Sequence, residues 1–479
     1  MTRLVPRAAA LVLLLIMSAA LLNSCKSLPA GLSTTTPPRA VQDARLLVDY
    51  TGVDADGQRH IDQQIFDEMF RLIDQAEKLI VVDMFLYNDF QGEPPEQHRA
   101  LSSELTRHLI QRKQAVPGLR VIVITDPINT LYGGLPAPHL DALRAAGIEV
   151  VITDLKKLRD SNPSWSGLWR LCCQWFGNNN RHGWLPNPVG PGKVTLRSYL
   201  TLINFKANHR KTMVVDEGDS WAGMVMSANP HDGSSAHGNV ALRFGGPAAL
   251  DLLHTELAVI GFSDDSVPLT GLPEAPPATP LADNTARIQV LTEADIRDAL
   301  IAAVNSARAG DHLQIEVFYF SHRELLQALL DAAERGVNLR LLLDPNKDAF
   351  GRQKNGIPNR QVALTLHRAG IPVRWCNTSG EQCHTKLLLL VRANGNAELI
   401  LGSANFTRRN LDDFNLETDL HVQAPADHAL IRDTLAMFEK RWGNTGEVIY
   451  SLDYSAFEDD SLTRYWLYRF MEASGWSSF

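Results

Sequence analysis

Apolar and polar positions follow one another along this chain in a rhythm that is written twice. Residues 65–76 place apolar side chains at helical spacing and run into Leu79-Ile80-Val81-Val82-Asp83-Met84-Phe85, an apolar, β-branched stretch that reads as a buried strand. Residues 296–307 do the same and run into Leu313-Gln314-Ile315-Glu316-Val317-Phe318. A helix follows each, over 101–113 and 324–335, and then a strand ending at Asp126-Pro127 or Asp344-Pro345, where the Asp-Pro pair is expected to stop the strand. Helical periods over 139–146 and 362–369 close on the same tripeptide, Ala146-Gly147-Ile148 and Ala369-Gly370-Ile371, and another strand comes next. Helices alternating with buried strands predict an α/β protein: two duplicated α/β sandwich halves related by a pseudo-twofold, with one site at their interface.

Composition sets the boundaries between these blocks. Residues 26–42 are rich in Pro, Ser, Thr and Ala and read as a flexible tether, and residues 263–284, with Pro268, Pro273, Pro276, Pro277 and Pro280, as a linker. That leaves a first half over 43–262, a second over 285–450 and an aromatic tail over 451–479. The first half is longer through an insertion at about 156–205, in which Trp165, Trp169, Trp175, Phe176 and Trp184 are interleaved with Arg159, Arg170, Arg181 and Lys193. The insertion reads either as a small packed subdomain or as a lid or membrane-contacting loop, because Trp favours the bilayer interface. In the tail, Tyr465-Trp466-Leu467-Tyr468-Arg469-Phe470-Met471 poses the same choice, with packing the favoured reading.

The N-terminus belongs to targeting rather than to the fold. Arg3 and Arg7 precede an apolar stretch from 8 to 22, shorter than the roughly 20 residues a bilayer span needs. It ends in Leu22-Asn23-Ser24-Cys25, which resembles a bacterial lipobox and implies residues 1–25 as a lipoprotein signal with Cys25 lipidated. Lys26 after the cysteine implies the outer membrane, facing the periplasm. In an exported protein, Cys376 and Cys383 are close enough to close a small loop, whereas neighbours such as Cys172 and Cys173 rarely pair. None of the cysteines has CxxC metal spacing, so zinc is not expected. The net charge of -8 argues against nucleic acid as the main partner.

The chemistry is also written twice. His209-Arg210-Lys211 with Asp216 reads HxKxxxxD, and His384-Thr385-Lys386 repeats its start. A strand later each leads to a Ser-x-Asn, Ser227-Ala228-Asn229 and Ser403-Ala404-Asn405. Two imidazoles can divide the work on a phosphodiester, one attacking phosphorus and one protonating the leaving oxygen. Lys211 and Lys386 can offset charge on the nonbridging oxygens, and Asn229 and Asn405 can donate to them, so no metal or cofactor is required. Ser227 and Ser403 are placed beside this substrate site, chiefly as organisers of their turns. Glu417 stands where a carboxylate can return to one ring, and its counterpart in the first half is the neutral Asn239. His231 and His237, close behind the first motif, are candidates for substrate contact.

Together these motifs resemble the phospholipase D superfamily over residues 43–450. The resemblance implies duplicated phospholipase D-like halves, His209 as nucleophile, His384 as acid and Glu417 as the support of His209. It also implies a membrane-tethered enzyme that hydrolyses phospholipid head groups or transfers phosphatidyl groups, as cardiolipin synthases do. A nuclease of the same superfamily is the alternative enzyme. Two departures, Val391 in place of the second motif's Asp and Met226 in place of the Gly before Ser227, keep a non-catalytic membrane scaffold open as a further alternative.

Overall fold

The computed structural model describes residues 26–92, 98–349, 352–477 and 479, with scattered positions between 11 and 19. Cys25, the expected lipidation site, lies outside the described residues. Among them, two nine-stranded sheets form, one in each half. In the first, Leu79–Met84, Arg120–Thr125 and Glu149–Ile152 are parallel, while Lys211–Glu217, Ser220–Met226, Asn239–Gly245 and Arg45–Asp54 continue it antiparallel. The second repeats this order with His312–Val317, Asn338–Leu343 and Val373–Cys376, then Lys386–Val391, Asn396–Gly402, Thr418–Pro425 and Arg287–Thr292.

The motif strands are apolar throughout because they are buried on both faces. Met213 and Val215 point to the outer helices of the first half, and Leu388 and Leu390 to those of the second. Val214, Leu387 and Leu389 point the other way, into a single core shared by both halves. Helices Pro247–Ser263 and Ala429–Gly443 complete that core, and the former is apolar on nearly every side, as a central helix must be. No helix among the described residues is long and apolar enough to cross a membrane.

Two expectations about connecting segments change, and the tail packs as expected. The proposed flexible tether is in part a sheet edge: Arg39–Ala40 pairs with Arg287 and Ile288, Thr36 hydrogen-bonds Val290, and buried Arg39 grips Asp251 at 2.6 and 2.9 Å. Thr-rich sequence suits an edge strand as well as a spacer, and here it covers backbone that would otherwise be open. The Pro-rich linker lays Leu269, Leu272 and Ala275 on the shared core. The tail belongs to the second half, since Ser451–Asp453 joins its sheet and helix Leu462–Ser474 buries Tyr468 against its core. Cys376 and Cys383 are joined, and so, against expectation, are the neighbours Cys172 and Cys173.

Candidate active site

The pseudo-twofold is laced by backbone hydrogen bonds. His209 donates its N–H to the carbonyl of Leu416 in the other half at 2.9 Å, and His384 donates to that of Gly238 at 2.7 Å. The next residue on each receiving strand then meets the ring: Glu417 lies 2.9 Å from His209 Nδ1, and Asn239 Oδ1 lies 3.2 Å from His384 Nδ1. Each histidine is therefore held by the opposite half. Buried arginines tie the same seam, Arg210 reaching Glu293 at 2.8 Å and Arg441 the carbonyl of Asp49 at 3.0 Å.

Both rings open into one cavity of about 1130 Å³, with Asn229 and Asn405 beside them. Its walls are largely apolar, including Phe85, Phe90, Tyr132, Phe205, Phe318 and Phe479. Phe85 packs 4.7 Å from the His209 ring and Phe318 5.0 Å from the His384 ring, a matched pair contributed by the residue just past the same strand in each half. Lys211 and Lys386 lie fully buried beneath the histidines, donating to the carbonyls of His209 and His384 at 2.5 and 2.6 Å.

Three sequence assignments change. Ser227 donates to Asn239 at 3.0 Å and Ser403 to Glu417 at 2.5 Å, so the serines hold the residues that hold the histidines, and neither lines the cavity. Asn239 likewise stands behind His384 rather than on a substrate surface. Asp216, grouped with the catalytic residues, sits at the far end of its strand, where its carboxylate accepts the N–H groups of Glu77, Lys78 and Leu79 at 2.8–2.9 Å.

The two departures from the motif pattern, one in each half, have structural partners. Register pairs His312 with Val391, which packs on the shared core, and the bracing carboxylate is supplied one residue before His312. Asp311 there accepts from Arg308 and Ala393 at 2.9 Å each. Gly402 faces Asp419, whose carboxylate oxygen would lie 2.4 Å from a Cβ at that position, whereas Met226 faces the small Ala241. Each substitution is matched across its strand pair.

Burial dominates the electrostatics. It pushes Lys211 down to about 7 and Lys386 well below the usual lysine range, and it pushes Glu417 up to about 7. Both histidines are held well below the ordinary imidazole value by burial and then by the neighbouring lysines. Such a cluster favours a bound anion, whose charge would return protons to these groups.

Sequence reading passed over five contributors. Asp126 and Asp344, taken as strand stops, accept the N–H groups of Asn208 and Cys383 at 2.7 and 2.9 Å, each immediately before a motif histidine. Asn410 donates to Glu417. The Phe85 and Phe318 platforms and the Asp-Pro pairs recur at matching places in the two repeats, which was the available signal. His231 and His237 both line the cavity, with the His237 ring 5.8 Å from that of His384.

The family model described as cardiolipin synthase, PLD-like domain, matches residues 300–442. The fold is similar to that of a phosphatidylserine synthase from Haemophilus influenzae Rd KW20 over 92% of this chain and 95% of that one, with a TM-score of 0.57 at 12% identity. Lower-scoring likenesses are to Nuc, a phospholipase D family member from Salmonella typhimurium (TM-score 0.28, 22% identity, 35% of this chain and 98% of that one), and to a polyphosphate kinase from Porphyromonas gingivalis (TM-score 0.43, 14% identity, 86% and 51%). A sequence comparison with curated proteins finds no match.

Proposed function

We propose, from the premise that this chain is a two-half protein of the phospholipase D superfamily, that it cleaves or transfers the phosphodiester of membrane phospholipids through a phosphohistidine. The observation that carries this reading is the unequal backing of two histidines in one apolar cavity: a carboxylate behind His209, an amide behind His384. With Nδ1–H pointed at Glu417, His209 presents the Nε2 lone pair to the cavity, and the carboxylate offsets the positive charge that develops on the ring as Nε2 bonds phosphorus. With only an amide behind it, a protonated His384 gives up its proton readily.

In the first step the His209 Nε2–P bond forms, the P–O bond to the leaving alcohol breaks, and His384 hands its proton to that oxygen. In the second, His384 takes a proton from water or an acceptor alcohol, whose oxygen bonds phosphorus as the N–P bond breaks. Lys211 and Lys386 stand below to balance the oxygens' charge, and Asn229 and Asn405 flank them. The apolar walls suit the glycerol-ester and acyl portions of a lipid, and tethering through Cys25 at the cell envelope keeps the enzyme beside its substrate.

The test is to incubate purified protein with phosphatidylglycerol, with and without a short alcohol, and to analyse the lipids by mass spectrometry. Phosphatidic acid marks hydrolysis; cardiolipin or the phosphatidyl alcohol marks transfer. His384→Ala should lose roughly 10²–10⁴-fold on phospholipid but regain turnover on a diester with a nitrophenol leaving group, which needs no acid. His209→Ala should be inactive on both. Unchanged lipid products in both variants would sink the proposal, and tight, salt-sensitive DNA cleavage would favour the nuclease reading.

A further inference from the structure

Outside the N-terminal positions 11–17, the large apolar side chains that reach solvent among the described residues fall in just two stretches. One lies in the insertion and is led by Trp175, Phe176 and Trp184, exposed by 75, 67 and 65%. The other is one face of helix Leu462–Ser474, led by Leu462, Trp466 and Phe470 at 73, 68 and 60%. Scattered exposed apolar residues need no explanation, but aromatic ones gathered in two neighbouring segments do. The two segments touch: the Trp476 indole donates to Ser164 Oγ at 2.9 Å, beside the start of helix Pro163–Cys172.

Residues following each stretch line the cavity. The insertion's hairpin, Leu185–Pro186 with Lys193–Val194, places Pro186 to Pro191 on the cavity wall, and the chain end places Phe479 there. Charge singles out the same region. From 161 to 205 the sequence has no Asp or Glu but carries Arg170, Arg181, Lys193 and Arg197, in a chain of net charge -8. Arg181 and Lys193 are exposed.

We propose that this face docks onto an anionic phospholipid bilayer, with the Trp and Phe side chains in the interfacial layer and the cavity mouth opening toward the lipid. The inference rests on the phospholipid reading above and adds the surface through which substrate enters. Aromatic rings settle at the headgroup level, and nearby cations are drawn to anionic lipid. A second copy of the chain fits this face less well, because association would press together two copies of the 161–205 stretch, which is cationic and has no acid of its own.

The experiment uses full-length protein in vesicles of phosphatidylethanolamine and phosphatidylglycerol with acyl chains brominated near the headgroup. Tryptophan fluorescence should be quenched, and the combined variant Trp175→Ser/Trp184→Ser/Trp466→Ser should lose that quenching. Vesicle turnover in the variant should fall at least about tenfold while turnover of a water-soluble phosphodiester is unchanged. Arg181→Ala and Lys193→Ala should each weaken docking roughly fivefold on anionic vesicles and little on zwitterionic ones. Anchored protein whose tryptophans stay unquenched overturns the proposal. So does a variant that turns a dimer into a monomer at unchanged vesicle turnover, which would show that a second copy covers the face. Quenched protein that cleaves neither diester would refute the phospholipid reading and leave the docking surface standing.

Discussion

The half-sites of His209 and His384 share a strand, a Ser-x-Asn turn, a phenylalanine platform and a backbone bond across the pseudo-twofold. They differ in what touches the ring. Glu417 and Asn239 occupy the same register on equivalent strands, and each is held by the serine of its own half. Duplication thus supplies the geometry of a two-histidine site, and a carboxylate-for-amide difference supplies its polarity. A symmetric pair would have the same partner behind both rings; here the partners differ while the backbone bonds across the pseudo-twofold are alike. The outer ends of the motif strands show the reverse case. Asp216 and Asp311 do the same bracing from different strands, so a motif position can change while its physical task is kept.

The sharpest way to break the first comparison is to equalise the two supports. Glu417→Gln should lower kcat on phospholipid by roughly 10²–10⁴-fold, since the ring loses the charge that stabilises it as it becomes cationic. Asn239→Ala should cost only about tenfold, the value of one hydrogen bond. Comparable losses in the two variants, measured on folded protein, would end the assignment of unequal roles.

Next in size is the pH dependence of anion binding. Lys211 and Glu417 are both placed near about 7 in the empty site. A bound phosphodiester anion raises the lysine, so binding takes up a proton that the free site loses as pH rises through 7. Competitive inhibition by dimethyl phosphate, whose own charge is constant in this range, should weaken by more than about tenfold per pH unit between 7 and 9, the slope of a single proton. Glu417 ionises over the same interval and acts in the same direction, so Glu417→Gln should flatten the slope. Inhibition independent of pH would contradict the proton-poor state of the site.

The smallest effect concerns the braces. Asp216→Asn and Asp311→Asn should each cost about 1–3 kcal/mol of stability in denaturant unfolding, because one of the two accepting oxygens becomes an NH2 that faces a backbone N–H. Turnover per folded molecule should stay near the wild-type value in both. A selective loss of kcat in Asp216→Asn would return that residue to the chemistry.

Much of this organisation was readable in the linear chain because it rests on local patterns. Strands buried on both faces show as unbroken apolar runs, and a repeated unit shows as repeated order, down to Ala-Gly-Ile. Spacing offered Glu417 to one of the two rings, and the family resemblance, not spacing, assigned it to His209. The segments misjudged were those whose state depends on a distant surface: a Thr- and Pro-rich stretch looks the same whether it hangs free or covers a sheet edge. Asp126 and Asp344 do follow strand ends, as read, but their hold on Asn208 and Cys383 was hidden because those partners are remote in sequence. The serines were placed beside substrate because their side chains' direction is set by strand register.

By itself the sequence determined two α/β units, a histidine and a lysine for each, and a carboxylate opposed by an amide. Tertiary structure alone decided that each histidine is gripped by the other half, that the serines serve the supports, and that Asp311 stands in for the acid missing at Val391. Periodicity and composition are properties of neighbours along the chain, whereas these contacts join residues more than a hundred positions apart or turn on strand register, and only packing of the shared core brings them together.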